Sequence, residues 1–253
     1  MTLKQIFYPE SRFGGFSDVD GTIAFYMRVN ALLTPDSTVV DYGCGRGAYG
    51  EDPLPVRRDL RILKGKARRV IGLDVDKAGQ ENPYIDEFHC LDGGHWPLAE
   101  NAVDLCICDH VLEHLEEPGA FFSEAGRVLK DGAYLCIRTP NLWSYVALAS
   151  KLVPNRSHAG VLARVKDRSS ERDVFPTLYR CNTISRLKKY LRQSGFSDHV
   201  VYGFAPEPSY LSFSKAAYGL GVIYQRIVPR ALHPVLFAFA RLRKEALSYG
   251  GRR

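Results

Sequence analysis

Val39-Val40-Asp41-Tyr42-Gly43-Cys44-Gly45-Arg46-Gly47-Ala48-Tyr49-Gly50 sets a short β-branched run against an acid and then a glycine at every second position. Thr38-Val39-Val40 reads as the end of a buried parallel strand. Gly43, Gly45 and Gly47 let the backbone turn sharply and approach a ligand, because no Cβ intervenes. A helix expected after them would turn unpaired N–H groups toward that ligand. The carboxyl end of a first strand is where an open α/β sheet binds small molecules.

The loop supports two ligand readings beside the plain one of a glycine-rich turn. Gly45-Arg46-Gly47-Ala48-Tyr49-Gly50 fits the dinucleotide pattern G-x-G-x-x-G. The longer pattern Asp41-x-Gly43-x-Gly45-x-Gly47 places a carboxylate inside the motif, which suits a cationic ligand better than a phosphate.

Outward from the loop, strand-like and helix-like segments alternate. Val70-Ile71-Gly72-Leu73-Asp74-Val75-Asp76 is a second strand ending in acids. Asp74 at its tip suits ribose hydroxyls, and Asp76 suits a helix cap. Residues 84–90 form a third strand that runs into Leu91-Asp92-Gly93, which is also an ordinary turn signal. Residues 96–115 hold Trp96-Pro97-Leu98, a strand over 103–108, then Asp109-His110 and Leu112-Glu113-His114. His110, beside a strand end, is a candidate general base. His110 and His114 would share a face on a helix, but their H-x-x-x-H spacing lacks the glutamate order of a zinc protease, and no metal site is expected. A helix over 118–129 and a strand over 133–139 continue the series, predicting a doubly wound parallel sheet.

The flanks are less regular. Residues 1–20 read as loop, and 23–33 as an amphipathic helix ended by Pro35, with Tyr8, Arg12, Phe16 and Tyr26 as cofactor contacts or simple packing. The basic run within 51–69 reads as a solvated face, since no aromatics interleave its charges as nucleic-acid binding would ask. Residues 142–182 break the alternation and read as a lid-like insertion, with Arg156, His158, Tyr179 and Arg180 as candidate substrate contacts. Asn182-Thr183 caps a helix over 184–193, and 199–204 and 209–213 read as the last two strands. Residues 215–228 and 234–247 read as two apolar helices with basic flanks. They suit packing over the site, a homodimer contact or a peripheral membrane patch.

The chain has 253 residues, 45% hydrophobic and 25% charged, which fits one domain with elaborations. A net charge of +6 permits an anionic partner without selecting one. The six cysteines form no C-x-x-C pair and sit mostly in apolar runs, so they read as reduced thiols of a cytoplasmic protein. No signal-peptide core and no run of about 20 apolar residues is present.

The glycine loop with Asp41, the acid-tipped second strand and the twenty-residue block ending in Leu112-Glu113-His114 together resemble class I S-adenosylmethionine (SAM) methyltransferases of the bacterial small-molecule branch. The resemblance covers about residues 36–213. It implies a Rossmann-like α/β fold with a seven-stranded sheet, mostly parallel with an antiparallel last strand. The expected organisation is a cap segment at 1–35, a SAM-binding domain at 36–213 with the lid at 142–182, and a helical extension at 214–253. It further implies SAM as cofactor and S-adenosylhomocysteine as product. SAM would be held by Asp41, Gly43, Cys44, Gly45 and Gly47, by Asp74 and Val75, and by Asp92, Gly93 and Asp109. His110 would act in acid–base chemistry, and His114 would join Arg156, His158, Tyr179 and Arg180 toward a small-molecule, glycan or lipid-linked acceptor methylated on oxygen or nitrogen. Two other readings are an NAD(P) oxidoreductase, which leaves Asp41 and the Leu-Glu-His block unexplained, and a non-catalytic SAM-binding membrane partner.

Overall fold

The computed structural model describes residues 1–147 and 176–244. Seven strands form one sheet: β1 Thr38–Tyr42, β2 Arg69–Asp74, β3 Glu87–Cys90, β4 Val103–Asp109, β5 Leu129–Pro140, β6 Asp198–Phe204 and β7 Val235–Arg241. Their spatial order is β3-β2-β1-β4-β5-β7-β6. Pairs from β3 to β5 are parallel, and β7 runs antiparallel to both neighbours.

The described helices are α1 Leu3–Phe7, α2 Gly21–Leu32, α3 Pro55–Arg61, α4 Pro118–Val128, α5 Ile184–Gln193 and α6 Lys215–Ile227. Asp20 caps α2 by accepting the Thr22 and Ile23 N–H groups. Thr183 and Ser214 do the same for α5 and α6. Because side chains alternate along a strand, each sheet face has its own core. On one face Val40, Leu135 and Ile137 pack with Trp96 and with Phe121 and Phe122 of α4. On the other, Val39, Leu105, Ile107 and Phe237 pack with Phe25, Tyr26 and Val29 of α2.

The chain departs from the sequence expectations at several elements. The last strand is 235–241, where a helix over 234–247 was expected, and 209–213 forms a 3-10 turn at Ser209–Leu211 instead of a strand. Leu236, Ala238 and Ala240 face one core while Phe237 faces the other, so the run is apolar throughout and periodicity does not separate it from a buried helix. Residues 1–20 are not all loop: α1 packs on α6, with Phe7 5.3 Å from the Tyr218 ring and the Tyr8 hydroxyl donating to Gln225 Oε1 at 2.6 Å. Tyr8 is thus a packing residue. After the glycine loop comes a 3-10 turn, Ala48–Glu51, and then α3, because Pro53 and Pro55 interrupt any helix started at Ala48. No described helix is long and apolar enough to cross a membrane.

Candidate active site

β1 lies between β2 and β4, where the strand order reverses, and their carboxyl ends splay apart there. The resulting crevice has a volume of about 340 Å³ and is lined by Gly43, Gly45, Leu73, Asp74, Val75, Asp109 and His110, among others. The glycine spacing is demanded by geometry. Gly43 has φ 75°, and a Cβ there would stand 2.2 Å from Val111 Cγ2. Gly45 has φ 52° and nothing within 4 Å of its missing Cβ, so bare backbone faces the open crevice. Asp74 accepts the Gly45 N–H and the Asp76 N–H, each at 2.9 Å, while the Asn82 amide donates to the Cys44 and Gly45 carbonyls at 3.0 and 3.2 Å. The loop is thus locked to the tip of β2 before any ligand arrives.

A charged cluster lies on the α2 side of the same strand ends. Arg138 on β5 is buried and donates from Nε and Nη2 to the two Asp109 oxygens at 2.6 and 2.7 Å. Its Nη1 donates to Thr22 Oγ1 at 2.8 Å, and the Tyr26 hydroxyl donates to Asp109 Oδ2 at 2.9 Å. Burial alone would raise the Asp109 carboxyl, but the Arg138 charge and hydrogen bonds outweigh it and hold Asp109 well below the usual range. Asp41 lies on the same face of the sheet as Val39, and no described residue donates a hydrogen bond to its carboxylate. Burial, and then the neighbouring Asp109 charge, push its carboxyl up to about 7. Arg61 of α3 sets its guanidinium 4.7 Å from the Tyr49 ring centre and 5.6 Å from that of Tyr26, with Nη2 3.7 Å from Asp109. Its Nε is buried without a hydrogen-bond partner. A carboxylate without hydrogen-bond donors beside a guanidinium only partly paired suits the ammonium and carboxylate of an amino-acid group.

His110 turns the chain at the end of β4. Its N–H donates to the Arg138 carbonyl at 2.8 Å, and its φ of 58° then swings the chain away. The buried Glu113 places Oε1 3.5 Å from His110 Nδ1 and 4.0 Å from His114 Nε2, while its Oε2 accepts from Thr139 Oγ1 at 2.9 Å. The Glu113 carbonyl accepts the Leu178 and Tyr179 N–H groups. His110 also lines a second cavity of about 80 Å³, with Tyr145, Tyr179, Tyr210, Pro140 and Glu207. It is therefore a shared wall between the two spaces.

Of the residues expected at the site, Gly43, Gly45, Asp74, Val75, Asp109, His110 and His114 line the crevice. Asp41, Cys44 and Gly47 stand behind its lining: the Cys44 Sγ sits over Gly72, and a Cβ on Gly47 would meet Asn82 Oδ1 at 2.5 Å. Asp92 and Gly93 are exposed, and the crevice takes Leu91 instead. Tyr179 reaches the second cavity, whereas Arg180 is exposed, its carbonyl accepting from Arg186. Arg156 and His158 lie outside the described residues. His110 and His114 do not share a helix face, since only Leu112–His114 is helical, as a 3-10 turn. Phe16 and Arg12 stay out of the crevice lining, and Tyr26 enters through Asp109. Sequence reasoning missed Arg61, Asn82, Glu113 and Arg138. Arg61 was hidden in the basic run, and Glu113 was visible only as the middle of its triplet.

A family model described as a methyltransferase domain matches residues 40–137. A probable S-adenosylmethionine-dependent methyltransferase of Mycolicibacterium smegmatis is 36% identical over 108 residues, which are 41% of this chain and 38% of that protein. The ubiquinone biosynthesis O-methyltransferase of Serratia proteamaculans is 24% identical over 157 residues, 52% of this chain and 60% of that protein. The chain thus spans less than two thirds of either relative. In fold, it is similar to the crystal structure of a SAM-dependent methyltransferase from Archaeoglobus fulgidus, with a TM-score of 0.55 at 19% identity, over 92% of this chain and 97% of that one.

Proposed function

We propose that this chain, a class I SAM-dependent methyltransferase by its domain at residues 40–137, moves the SAM methyl group to a hydroxyl oxygen of a small-molecule or lipid-linked acceptor and leaves S-adenosylhomocysteine. The observation that carries this reading is the position of His110 between the crevice and the second cavity. Bound SAM supplies a carbon already activated by its sulfonium, so the protein's main tasks are alignment, exclusion of water and disposal of one proton.

In this reading Asp41 and Asp109 offer negative charge to the ammonium of the amino-acid end, and the Arg61 charge beside both favours the carboxylate. Asp74, already pinned by two N–H groups, keeps lone pairs for the ribose hydroxyls. Leu73, Val75 and Leu91 provide apolar walls for the adenine. Glu113 faces His110 Nδ1, which favours a proton on that nitrogen and leaves Nε2 as the base that accepts the acceptor's hydroxyl proton. Nitrogen acceptors and glycans fit the same machinery. Oxygen is preferred because only a hydroxyl, or a protonated amine, requires a base. The named activity of the Serratia relative, an O-methyltransferase, is in line with that preference.

Calorimetry with SAM, S-adenosylhomocysteine and NAD(H) tests the cofactor, and micromolar binding of the first two alone is the expected result. NAD(H) binding without SAM overturns the reading in favour of an oxidoreductase. His110→Gln separates catalysis from binding: turnover is expected to fall about 100-fold or more with SAM affinity unchanged. Unchanged SAM affinity with no turnover of any acceptor by the parent protein would favour a non-catalytic SAM-binding role.

A further inference from the structure

Residues 208–244 contain no acidic residue, whereas Lys215, Arg226, Arg230, Arg241, Arg243 and Lys244 all fall among them. The same stretch exposes large apolar side chains. Phe213 is 76% exposed, Leu220 67%, Ile223 53% and Ile227 73%, with Tyr210 and Leu232 at the edges. Leu220, Ile223 and Ile227 recur at helical spacing on α6 and form one stripe. Tyr218 and Val222, on the opposite side of α6, are buried against Phe7 and Tyr8, so the stripe is presented from an anchored helix. Lys215, Arg226 and Arg230 are exposed along its flank, and none makes a salt bridge to a described residue. Residues 235–241 of the second helix expected at 234–247 are strand, so among the described residues of this stretch the exposed large apolar side chains lie within 210–232.

We propose that this surface docks peripherally on a bilayer containing anionic phospholipids. An apolar stripe with a basic flank, in a stretch that itself carries no acid, is complementary to such a surface, since the apolar side chains enter the acyl boundary while the cations meet the phosphates. A second copy of the chain is a poorer occupant. A twofold contact on this face would bring the basic set Lys215, Arg226 and Arg230 of one copy toward the same basic set of the other. Tyr210 belongs both to the exposed surface and to the second cavity, so on the methyltransferase reading an amphiphilic acceptor would reach His110 from the membrane side.

The test is sedimentation of the full chain with phosphatidylcholine vesicles, with and without phosphatidylglycerol. The protein is expected to pellet with the anionic vesicles only, and to be released by salt. Two separate triple variants, Leu220→Ser/Ile223→Ser/Ile227→Ser and Lys215→Glu/Arg226→Glu/Arg230→Glu, are each expected to weaken partitioning about 100-fold or more. Both variants should keep the parent circular dichroism spectrum and SAM affinity, which separates loss of docking from loss of folding or of the cofactor site. Vesicle binding that persists in a protein unable to bind SAM leaves this proposal standing and removes the methyltransferase reading. Three results overturn it: a parent protein that stays in the supernatant with anionic vesicles, unchanged pelleting of both variants, or a parent dimer in light scattering that the serine variant dissociates.

Discussion

Asp41 carries the most distinctive chemistry of any single residue in the site. Its carboxyl is raised from the ordinary value to about 7, first by burial and then by Asp109. A raised carboxyl stabilises the fold fully below the ordinary carboxylate pKa, and that contribution is lost as pH rises through about 7. Above 7 the site therefore holds a charged carboxylate, which in the proposed binding mode the ammonium of SAM relieves. The SAM-induced rise in melting temperature is expected to be larger above pH 7 than below it, and Asp41→Asn is expected to flatten that difference in a thermal-shift series. Gly43→Ala meets both a left-handed backbone and Val111, so a loss of about 1–3 kcal/mol is expected in urea unfolding, with weakened SAM binding. The glycines and acids of the loop were legible because their constraints are local. Arg61 was not. A guanidinium laid between Tyr26 and Tyr49 depends on how α3 meets α2, and the basic run around it carries no mark of that contact.

Among the elements, the turn from β4 into the Leu112–His114 3-10 segment does the most to shape the site. Glu113 sits beneath it, its carboxylate tied to Thr139 on β5 and its backbone carbonyl to the Leu178 and Tyr179 amides, so one buried residue joins three parts of the chain. Glu113→Gln is expected to lower kcat about 10–100-fold, by misplacing His110, with the KM for SAM unchanged. Steady-state kinetics with a turned-over acceptor checks it. The bridge between β4 and β5 behaves differently. Arg138→Met strands a buried Asp109 and is expected to cost about 3–5 kcal/mol in denaturant unfolding. The double variant with Asp109→Leu should recover much of that loss. The Leu-Glu-His block was readable as a motif, but the role of its central acid came only from the register of β5 beside β4. β7 was unreadable for a related reason. With cores on both faces it shows no alternation, and Pro234 and the phenylalanines were weak hints of a strand.

Across the whole molecule, the first five strands and their parallel sheet, with acids at the carboxyl ends of β1, β2 and β4, followed from hydrophobic runs alternating with polar connections. The two ends of the chain did not. α1 and α6 come from opposite ends of the described chain yet share a small core of Tyr8, Tyr218 and Val222, a contact between segments too short or too irregular to announce each other. Among the described residues Trp96 is the largest fully buried side chain, 5.1 Å from the Tyr42 ring and 5.7 Å from that of Phe121. Trp96→Ala is expected to destabilise the fold by about 3–5 kcal/mol, read as a lower denaturation midpoint with an unchanged slope. The position of β7 also has a consequence for the order of synthesis. It is the last made of the described strands, yet it sits between β5 and β6 and joins them. A chain emerging from the ribosome therefore completes β1, β2 and β4, and with them the crevice, while β6 still has no neighbour to pair with. Pro234 and Val235, which wall the second cavity, arrive only with β7. The newborn protein thus completes the crevice before the second cavity has its full wall.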